Sequence, residues 1–223
     1  MTGQLTFDLA GKAGYSREDF FASPANALAL EALGRWRDWT GGKLLLIGPP
    51  GAGKTHLAHV WADQVSAVFV ARRGLMAGDL DPGQSLVVDD ADRVAGDAAS
   101  ETALFHLHNM VLQGGGRLLL TAGTPPRDWG LRLPDLASRM IATDVARLAP
   151  PDDALLSAVL VKLFADRQIT VPPNLVAYLV TRMERSVAAA GELVAALDQL
   201  ALATQRPVTR SLAAELLDSA DSE

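Results

Sequence analysis

The clearest chemical pattern in the chain is a glycine-rich segment that reads Gly48, Pro49, Pro50, Gly51, Ala52, Gly53, Lys54 and Thr55, with His56 directly after it. An apolar run precedes the segment and an amphipathic pattern follows it, which predicts a strand, a loop and a helix in that order. Glycines let backbone N–H groups curl around phosphate oxygens, the lysine reaches the terminal phosphates, and the threonine hydroxyl is a ligand for Mg²⁺. The segment therefore predicts a binding site for ATP or ADP with Mg²⁺.

Two adjacent carboxylates, Asp89 and Asp90, stand at the end of another apolar run. In a phosphate site of this kind the first acid holds the Mg²⁺ shell through water, and the second polarises an attacking water molecule. The alternative is that both acids only end a strand and begin a turn. Their place downstream of the glycine-rich segment favours a metal-binding role for Asp89 and a catalytic role for Asp90.

Two pairs of residues that could suggest other sites are better explained by packing or solvation. His106 and His108 lie two apart on a predicted helix, so their side chains diverge, and the chain has no cysteine to complete a metal site. Trp36 and Trp39 fit the apolar stripe of the first predicted helix rather than a platform for stacking bases. We assign neither pair to a site.

Composition restricts the classes of function. Of the 223 residues, 49% are apolar and 21% charged, which is ordinary globular usage. The net charge of −6 opposes the broad basic surface that drives binding to DNA. The first residues lack the basic-then-apolar pattern of an export signal, and no apolar run is long enough to cross a membrane. We expect a cytoplasmic protein.

Five apolar runs predict the strands of a sheet, and their unbroken apolarity is typical of parallel strands covered on both faces. They are Lys43–Ile47, Ala67–Ala71, Ser85–Asp89, Arg117–Ala122 and the weaker Asp144–Leu148. A first helix from Pro24 to Trp39, with Ser23 as its N-cap, precedes them, and only helical patterns follow Pro151. The sequence thus predicts an α/β fold, with a five-stranded parallel sheet, flanking helices and a small all-α lid.

Three short segments resemble the DnaA family of AAA+ proteins, and in particular its Hda-type regulators. Gly53-Lys54-Thr55-His56-Leu57 is similar to the start of the family's P-loop helix, and Leu133-Pro134-Asp135-Leu136-Ala137-Ser138-Arg139 to its box VII. Leu197-Asp198-Gln199-Leu200 is similar to its lid helix. The resemblance extends from about residue 16 to the end, and implies a P-loop NTPase core followed by a lid.

With this resemblance the chain divides into three predicted segments. Residues 1–15 form a flexible leader with a clamp-binding peptide, residues 16–150 an AAA+ nucleotide-binding core, and residues 151–223 a helical lid. The chain ends soon after the lid helices, where DnaA continues into a DNA-binding domain. We therefore expect no direct sequence-specific DNA binding and no membrane association, and a homodimer is left open.

The resemblance also implies two partners. Arg139 would be an arginine finger that acts in trans on a nucleotide held by DnaA. In the leader, Gln4, Leu5, Phe7 and Leu9 match the peptide with which such regulators bind the DNA polymerase sliding clamp, its beta subunit. The implied function is stimulation of ATP hydrolysis on DnaA, which limits re-initiation of chromosome replication in bacteria.

Three segments depart from the family pattern. Gly191 stands where the sensor 2 arginine is expected, unless Arg182 or Arg185 replaces it. Residues 121–126 lack the Asp-Arg pair of sensor 1, and residues 141–143 replace a Trp-Gly pair after box VII. We therefore expect slow intrinsic hydrolysis, and a structural role for bound ADP in holding core and lid together.

Two further functions remain open at this stage. An autonomous ATPase such as a helicase loader would need turnover supported by Asp90 and a DNA or helicase partner. A DnaA-related protein recruited to another complex would share every motif named above. The altered sensors and the acidic charge favour the regulator.

Overall fold

The computed structural model describes residues 21–70, 81 and 83–220 of the chain. Its strands are β1 (Lys43–Ile47), β2 (Val68–Val70), β3 (Leu86–Val88), β4 (Leu118–Ala122) and β5 (Asp144–Arg147). Its α-helices are α1 (Ala27–Gly34), α2 (Lys54–Val65), α3 (Ala98–Gln113), α4 (Pro134–Ile141), α5 (Asp153–Asp166), α6 (Pro173–Val180), α7 (Val187–Thr204) and α8 (Arg210–Ala220). Within the described residues, every regular element after β5 is a helix.

The five strands form one parallel sheet in the order β2-β3-β4-β1-β5. β1 lies between β4 and β5, and all five of its residues are buried. A strand covered on both faces needs apolar side chains at nearly every position, which explains the unbroken apolar runs. The edge strand β5 is mostly exposed, which explains its weaker pattern. The predicted sheet, flanking helices and helical C-terminal part are confirmed.

Apolar side chains pack into separate clusters on the two faces of the sheet. Leu45 and Ile47 of β1 belong to one cluster, whereas Leu44 and Leu46 belong to the other. A third cluster joins α5, α6, α7 and α8. Within the described residues, α7 is the one helix long and apolar enough to cross a membrane by length and composition, and its buried side chains lie in this third cluster.

The first helix begins later than predicted. The Ser23 N–H donates to Asn26 Oδ1 at 2.9 Å, and the Ala27 N–H donates to the Ser23 carbonyl oxygen at 2.9 Å. These bonds close a turn over Pro24 before the helix starts, so α1 begins at Ala27. Asn26, not Ser23, occupies the N-cap position.

The first helix also ends earlier than predicted, at Gly34 instead of Trp39. The chain bends into a short 3₁₀ turn, and the Trp39 indole N–H donates to the Ala32 carbonyl oxygen at 2.8 Å. This bend stacks Trp39 on Trp61 of α2, with ring centroids 5.1 Å apart. Both indoles are buried in this arrangement, and their burial and stacking stabilise the bend.

A buried polar contact joins the start of β1 to α3 and α4. The Lys43 ammonium donates to the Arg139 carbonyl oxygen at 2.7 Å, and its Nζ lies 3.3 Å from His108 Nε2. Burial, and then the charge of Lys43, lower the pKa of His108 to about 4, so the imidazole is neutral near pH 7. Because His108 Nδ1 lies 3.3 Å from Asn109 Oδ1, we assign the ring hydrogen to Nδ1, which leaves Nε2 to accept from Lys43.

This contact predicts how stability depends on pH. The pKa of His108 is about 4 in the folded protein and 6.5 ordinarily, so the folded state binds fewer protons between these values and stability rises with pH. The contribution of His108 to the free energy of unfolding should therefore fall by about 2 kcal/mol from pH 6.5 to about pH 4.5. Urea denaturation at constant ionic strength measures it. His108→Gln, which cannot titrate, should lose most of this dependence, and an equal fall in the variant would contradict the assignment.

Candidate functional site

The glycine-rich segment lies between the end of β1 and the start of α2, as its pattern predicts. Gly51 and Gly53 have φ of 71° and 93°, a left-handed conformation that glycine adopts without strain. A Cβ at Gly53 would meet nothing within 4 Å, so the loop leaves open space beside its backbone. Helix α2 begins at Lys54, and its N-terminus adds partial positive charge at the loop, which favours binding of a phosphate group.

The Lys54 ammonium is folded over this loop. It donates to the carbonyl oxygens of Gly48 at 2.7 Å and Pro49 at 3.0 Å, and the residue is only 9% exposed. Burial lowers its pKa, while the nearby carboxylates of Asp90, Asp92 and Asp89 act in the opposite direction. The structure therefore places a cation inside the loop.

Asp89 is the centre of a hydrogen-bond network between two strands and α2. The Thr55 hydroxyl donates to its carboxylate at 3.1 Å, and the Thr121 hydroxyl donates to Oδ1 at 2.6 Å. The Asp90 N–H donates in turn to the Thr121 hydroxyl oxygen at 2.9 Å. A hydroxyl and a carboxylate this close supply the oxygen ligands that Mg²⁺ prefers, so the predicted pair of Thr55 and Asp89 fits a magnesium site.

Asp90 begins the turn after β3. Its φ of 50° is unusual for a residue other than glycine, and its carboxylate forms an ion pair with Arg93 at 3.2 Å. The side chain is 39% exposed. Asp90 thus lies beside the Asp89 network, and its carboxylate interacts with a cation in this conformation.

The lid contacts the loop directly. The Val187 N–H, in the first turn of α7, donates to the Gly51 carbonyl oxygen at 3.0 Å. Ser186 caps α7, and a Cβ on Gly51 would collide with the Ser186 hydroxyl. The N-termini of α2 and α7 therefore meet at the loop. At position 51, glycine allows Ser186 to come this close because it has no Cβ.

The three positions considered for sensor 2 do not place a free cation at the loop. Gly191 lies one turn into α7 and would have open space around a Cβ. The Arg182 guanidinium lies over the Tyr178 ring at 4.1 Å. Arg185 forms an ion pair with Asp153 at 2.7 Å and also donates to a backbone carbonyl at 3.0 Å. Neither arginine therefore replaces the missing side chain in this conformation.

Arg139 lies on α4 and is exposed. Its backbone contacts Lys43, at the opposite end of β1 from the loop, and β1 spans about 13 Å between these ends. The structure therefore does not bring Arg139 together with the loop of its own chain. The peptide predicted to bind the clamp, at Gln4, Leu5, Phe7 and Leu9, lies outside the described residues.

Sequence reasoning gave no role to two residues of the site. Thr121 is fully buried and bridges both acids, and a hydroxyl inside an otherwise apolar strand was the available signal. Ser186 had only the signal of a helix N-cap, which says nothing about contact with a loop more than a hundred positions away.

His56, predicted to bind the cofactor, lies in the first turn of α2 and is half-buried.

No protein-family model matches the chain. Among solved structures, it is similar to domain III of the replication initiation protein DnaA from Thermotoga maritima, with a TM-score of 0.79 and 20% identity over 92% of this chain and 96% of that one. AMPPCP-bound DnaA from Aquifex aeolicus gives a TM-score of 0.67 at 16% identity over 82% of this chain, which spans 65% of that protein. A RuvB variant from Thermotoga maritima gives a TM-score of 0.69 at 18% identity, over 92% of this chain and 72% of that one. The chain therefore has the AAA+ fold of DnaA domain III, which RuvB shares.

Proposed function

We propose that this protein is a nucleotide-bound AAA+ regulator that bridges the DNA polymerase sliding clamp and ATP-bound DnaA. It stimulates hydrolysis of the ATP held by DnaA and so limits re-initiation of replication. The supporting observation is a P-loop whose geometry suits nucleotide binding, combined with Gly191 at the sensor 2 position and an exposed Arg139 remote from that loop.

Nucleotide binding would use the residues already in contact around the loop. Lys54 and the loop N–H groups hold phosphates, while Thr55 and Asp89 hold Mg²⁺. Bound ADP or ATP supplies negative charge where the N-termini of α2 and α7 meet. Because α7 belongs to the lid, the same charge stabilises the contact between loop and lid. The bound nucleotide therefore has a structural role, and we expect it to be ADP.

Intrinsic turnover is expected to be slow for two reasons. Position 191 carries no arginine and Arg185 is engaged with Asp153, so neither supplies a second cation, beside Lys54, to stabilise the transferring phosphoryl group in this conformation. Asp90, the candidate for orienting the attacking water, interacts with Arg93 instead.

Arg139 is the group offered to the partner. Its guanidinium is exposed on α4 and lies 5.0 Å from the centroid of the Phe105 ring, a contact that restrains the side chain without covering it. Inserted beside the ATP of DnaA, a planar guanidinium would stabilise charge on the transferring phosphoryl group. Arg139 is thus the catalytic residue that this chain contributes in trans.

An autonomous ATPase remains the second candidate because the Thr55, Asp89 and Thr121 network is complete. A small shift that frees Asp90 from Arg93 would restore a base beside it. Steady turnover by the protein alone would distinguish this function from the regulator.

The contact between loop and lid predicts a specific effect on nucleotide affinity. Gly51→Ala should weaken binding of a fluorescent ADP analogue at least about tenfold, because a Cβ collides with Ser186 and a left-handed φ costs about 1 kcal/mol or more. Gly191→Ala is the matched control, since its Cβ would enter open space within a helix. It should keep the affinity and raise stability by about 0.5–1 kcal/mol. Unchanged affinity in Gly51→Ala would refute the role of the contact.

The main test is single-turnover hydrolysis of labelled ATP bound to DnaA, with clamp-loaded DNA and with or without this protein. We expect acceleration that requires both clamp and protein, and Arg139→Ala should reduce it by about a hundredfold or more. Arg127→Ala, which removes another exposed arginine before α4, should accelerate like the unchanged protein. Absence of acceleration together with steady turnover by this protein alone would favour the autonomous ATPase.

The leader predicts a separable effect on clamp binding. Replacing Gln4 and Leu5 by Ala should abolish binding to the sliding clamp, because both residues fill specified positions of the peptide pattern. Surface plasmon resonance measures this binding. ADP affinity should stay the same. Thr6→Ala, at the variable position of the pattern, should bind the clamp normally, and retained binding by the Gln4 and Leu5 variant would exclude this role of the leader.

A further inference from the structure

Arg139 can act on a partner only if the short helix α4 presents it at a defined position. α4 has eight residues, about two turns, and isolated helices of that length are marginal in water. A misplacement of about 1 Å in a catalytic arrangement costs on the order of a hundredfold in rate. The contacts that fix α4 are therefore part of how Arg139 would function.

The N-terminal end of α4 is held by a buried carboxylate. Glu101, which is 1% exposed, accepts hydrogen bonds at Oε2 from the N–H groups of Arg132 at 2.9 Å and Leu133 at 2.8 Å. Its Oε1 accepts from the Gly96 N–H at 2.9 Å. Burial opposes the charge of Glu101, but these three bonds lower its pKa overall, so a negative charge sits at the positive end of the helix.

The C-terminal end of α4 is held by a buried ammonium. Lys43 Nζ donates to the carbonyl oxygen of Arg139 itself, and the Thr143 hydroxyl donates to the same oxygen at 2.9 Å. A cation at a helix C-terminus satisfies carbonyl groups that have no partner within the helix and complements the helix dipole. The last turn of α4, and with it the Cα of Arg139, is thereby tied to β1.

One face of α3 supplies most of this support. Glu101, Phe105 and His108 follow each other at spacings of four and three residues, so they lie on the same side of that helix. Glu101 bonds the start of α4, Phe105 lies under the Arg139 guanidinium, and His108 accepts from Lys43. This helix thus restrains the side chain of Arg139 directly, through Phe105, and its backbone carbonyl indirectly, through the contact between His108 and Lys43.

Burial of Lys43 is costly and is not required for packing. Both hydrogen-bond partners of its ammonium, the Arg139 carbonyl and the His108 ring, are uncharged. Burial lowers the pKa of Lys43, and the charge of Asp144 opposes this only in part. An apolar side chain of similar length would fill the same space without that cost. An apolar side chain could not donate to the Arg139 carbonyl, so this bond is what the ammonium adds at the position.

We propose that Lys43, oriented by His108, is a positioning residue for Arg139: it fixes the last turn of α4 so that the guanidinium is presented to the nucleotide of the partner. This inference rests on the proposed function, because it assigns how the arginine finger is held. Since Lys43 begins β1 and the P-loop follows the same strand, one rigid strand also joins this chain's own nucleotide site to the residue it offers to its partner.

The test compares Lys43→Met with the unchanged protein in the single-turnover assay with DnaA. The maximal stimulated rate should fall about 10- to 100-fold, while the protein concentration that gives half-maximal stimulation and the affinity for ADP stay the same. A general loss of structure would change the maximal rate, the half-maximal concentration and the affinity for ADP together. Full stimulation by Lys43→Met would overturn the proposal. Circular dichroism confirms that the variant is folded.

His108 provides a matched pair of variants. His108→Gln keeps an acceptor near the position of Nε2 and should retain stimulation within about threefold, because the Lys43 bond to the Arg139 carbonyl is preserved. His108→Leu removes the acceptor and should resemble Lys43→Met. Equal activity of the two His108 variants, whether high or low, would remove His108 from the proposal.

A measurement without DnaA separates this inference from the proposed function. The chain has no cysteine, so Ser138→Cys gives a single nitroxide label next to Arg139 on an exposed position of α4. Its spectrum should show slow motion with Lys43 present and faster motion in Lys43→Met. Identical spectra would overturn the positioning role. If Arg139→Ala stimulates fully, the proposed function fails, while the label still decides whether Lys43 fixes α4.

Discussion

The central strand β1 is the constraint on which the rest of the molecule depends. It is buried at every position and hydrogen-bonded to β4 on one side and β5 on the other, so neither of its ends can shift without disturbing the sheet. The P-loop begins at its carboxyl end, and Lys43 bonds the Arg139 carbonyl at its amino end. The P-loop and Arg139 are therefore positioned by opposite ends of one strand.

The elements that could be predicted are those whose signals are local. β1 has the predicted bounds, since every position faces the core and the next residue is the glycine of the loop. The predicted contacts of Thr55 with Asp89 likewise follow from strand order, because the ends of parallel strands meet at one edge. The first helix was mispredicted at both ends, because its apolar stripe carried no information about the turn at Ser23 or the stacking of Trp39 on Trp61.

The residues that could not be predicted are polar groups whose partners are distant in sequence. Lys43 looked like the charged start of an apolar strand, and nothing nearby indicates His108 or the Arg139 carbonyl, 65 and 96 positions away. Gly51 fits the P-loop pattern, but that pattern does not show that the lid needs the same missing Cβ for Ser186. Such contacts arise from packing of elements already formed, which is why periodicity alone does not reveal them.

The P-loop is formed, whereas the three positions considered for sensor 2 put no free arginine beside it in this conformation. Binding energy that the loop, Lys54 and the lid contact would provide applies to ADP and ATP alike, and interactions of equal strength in ground and transition states do not accelerate a reaction. Acceleration requires cations placed where charge develops, and Gly191 adds none to the Lys54 ammonium. Arg139, by contrast, has an exposed guanidinium, and it contacts Phe105 and Lys43 at the opposite end of β1 from the loop. Under the proposed function, a nucleotide that stays bound would hold the lid and the loop in one arrangement, and Arg139 would supply the transition-state interaction to a second molecule.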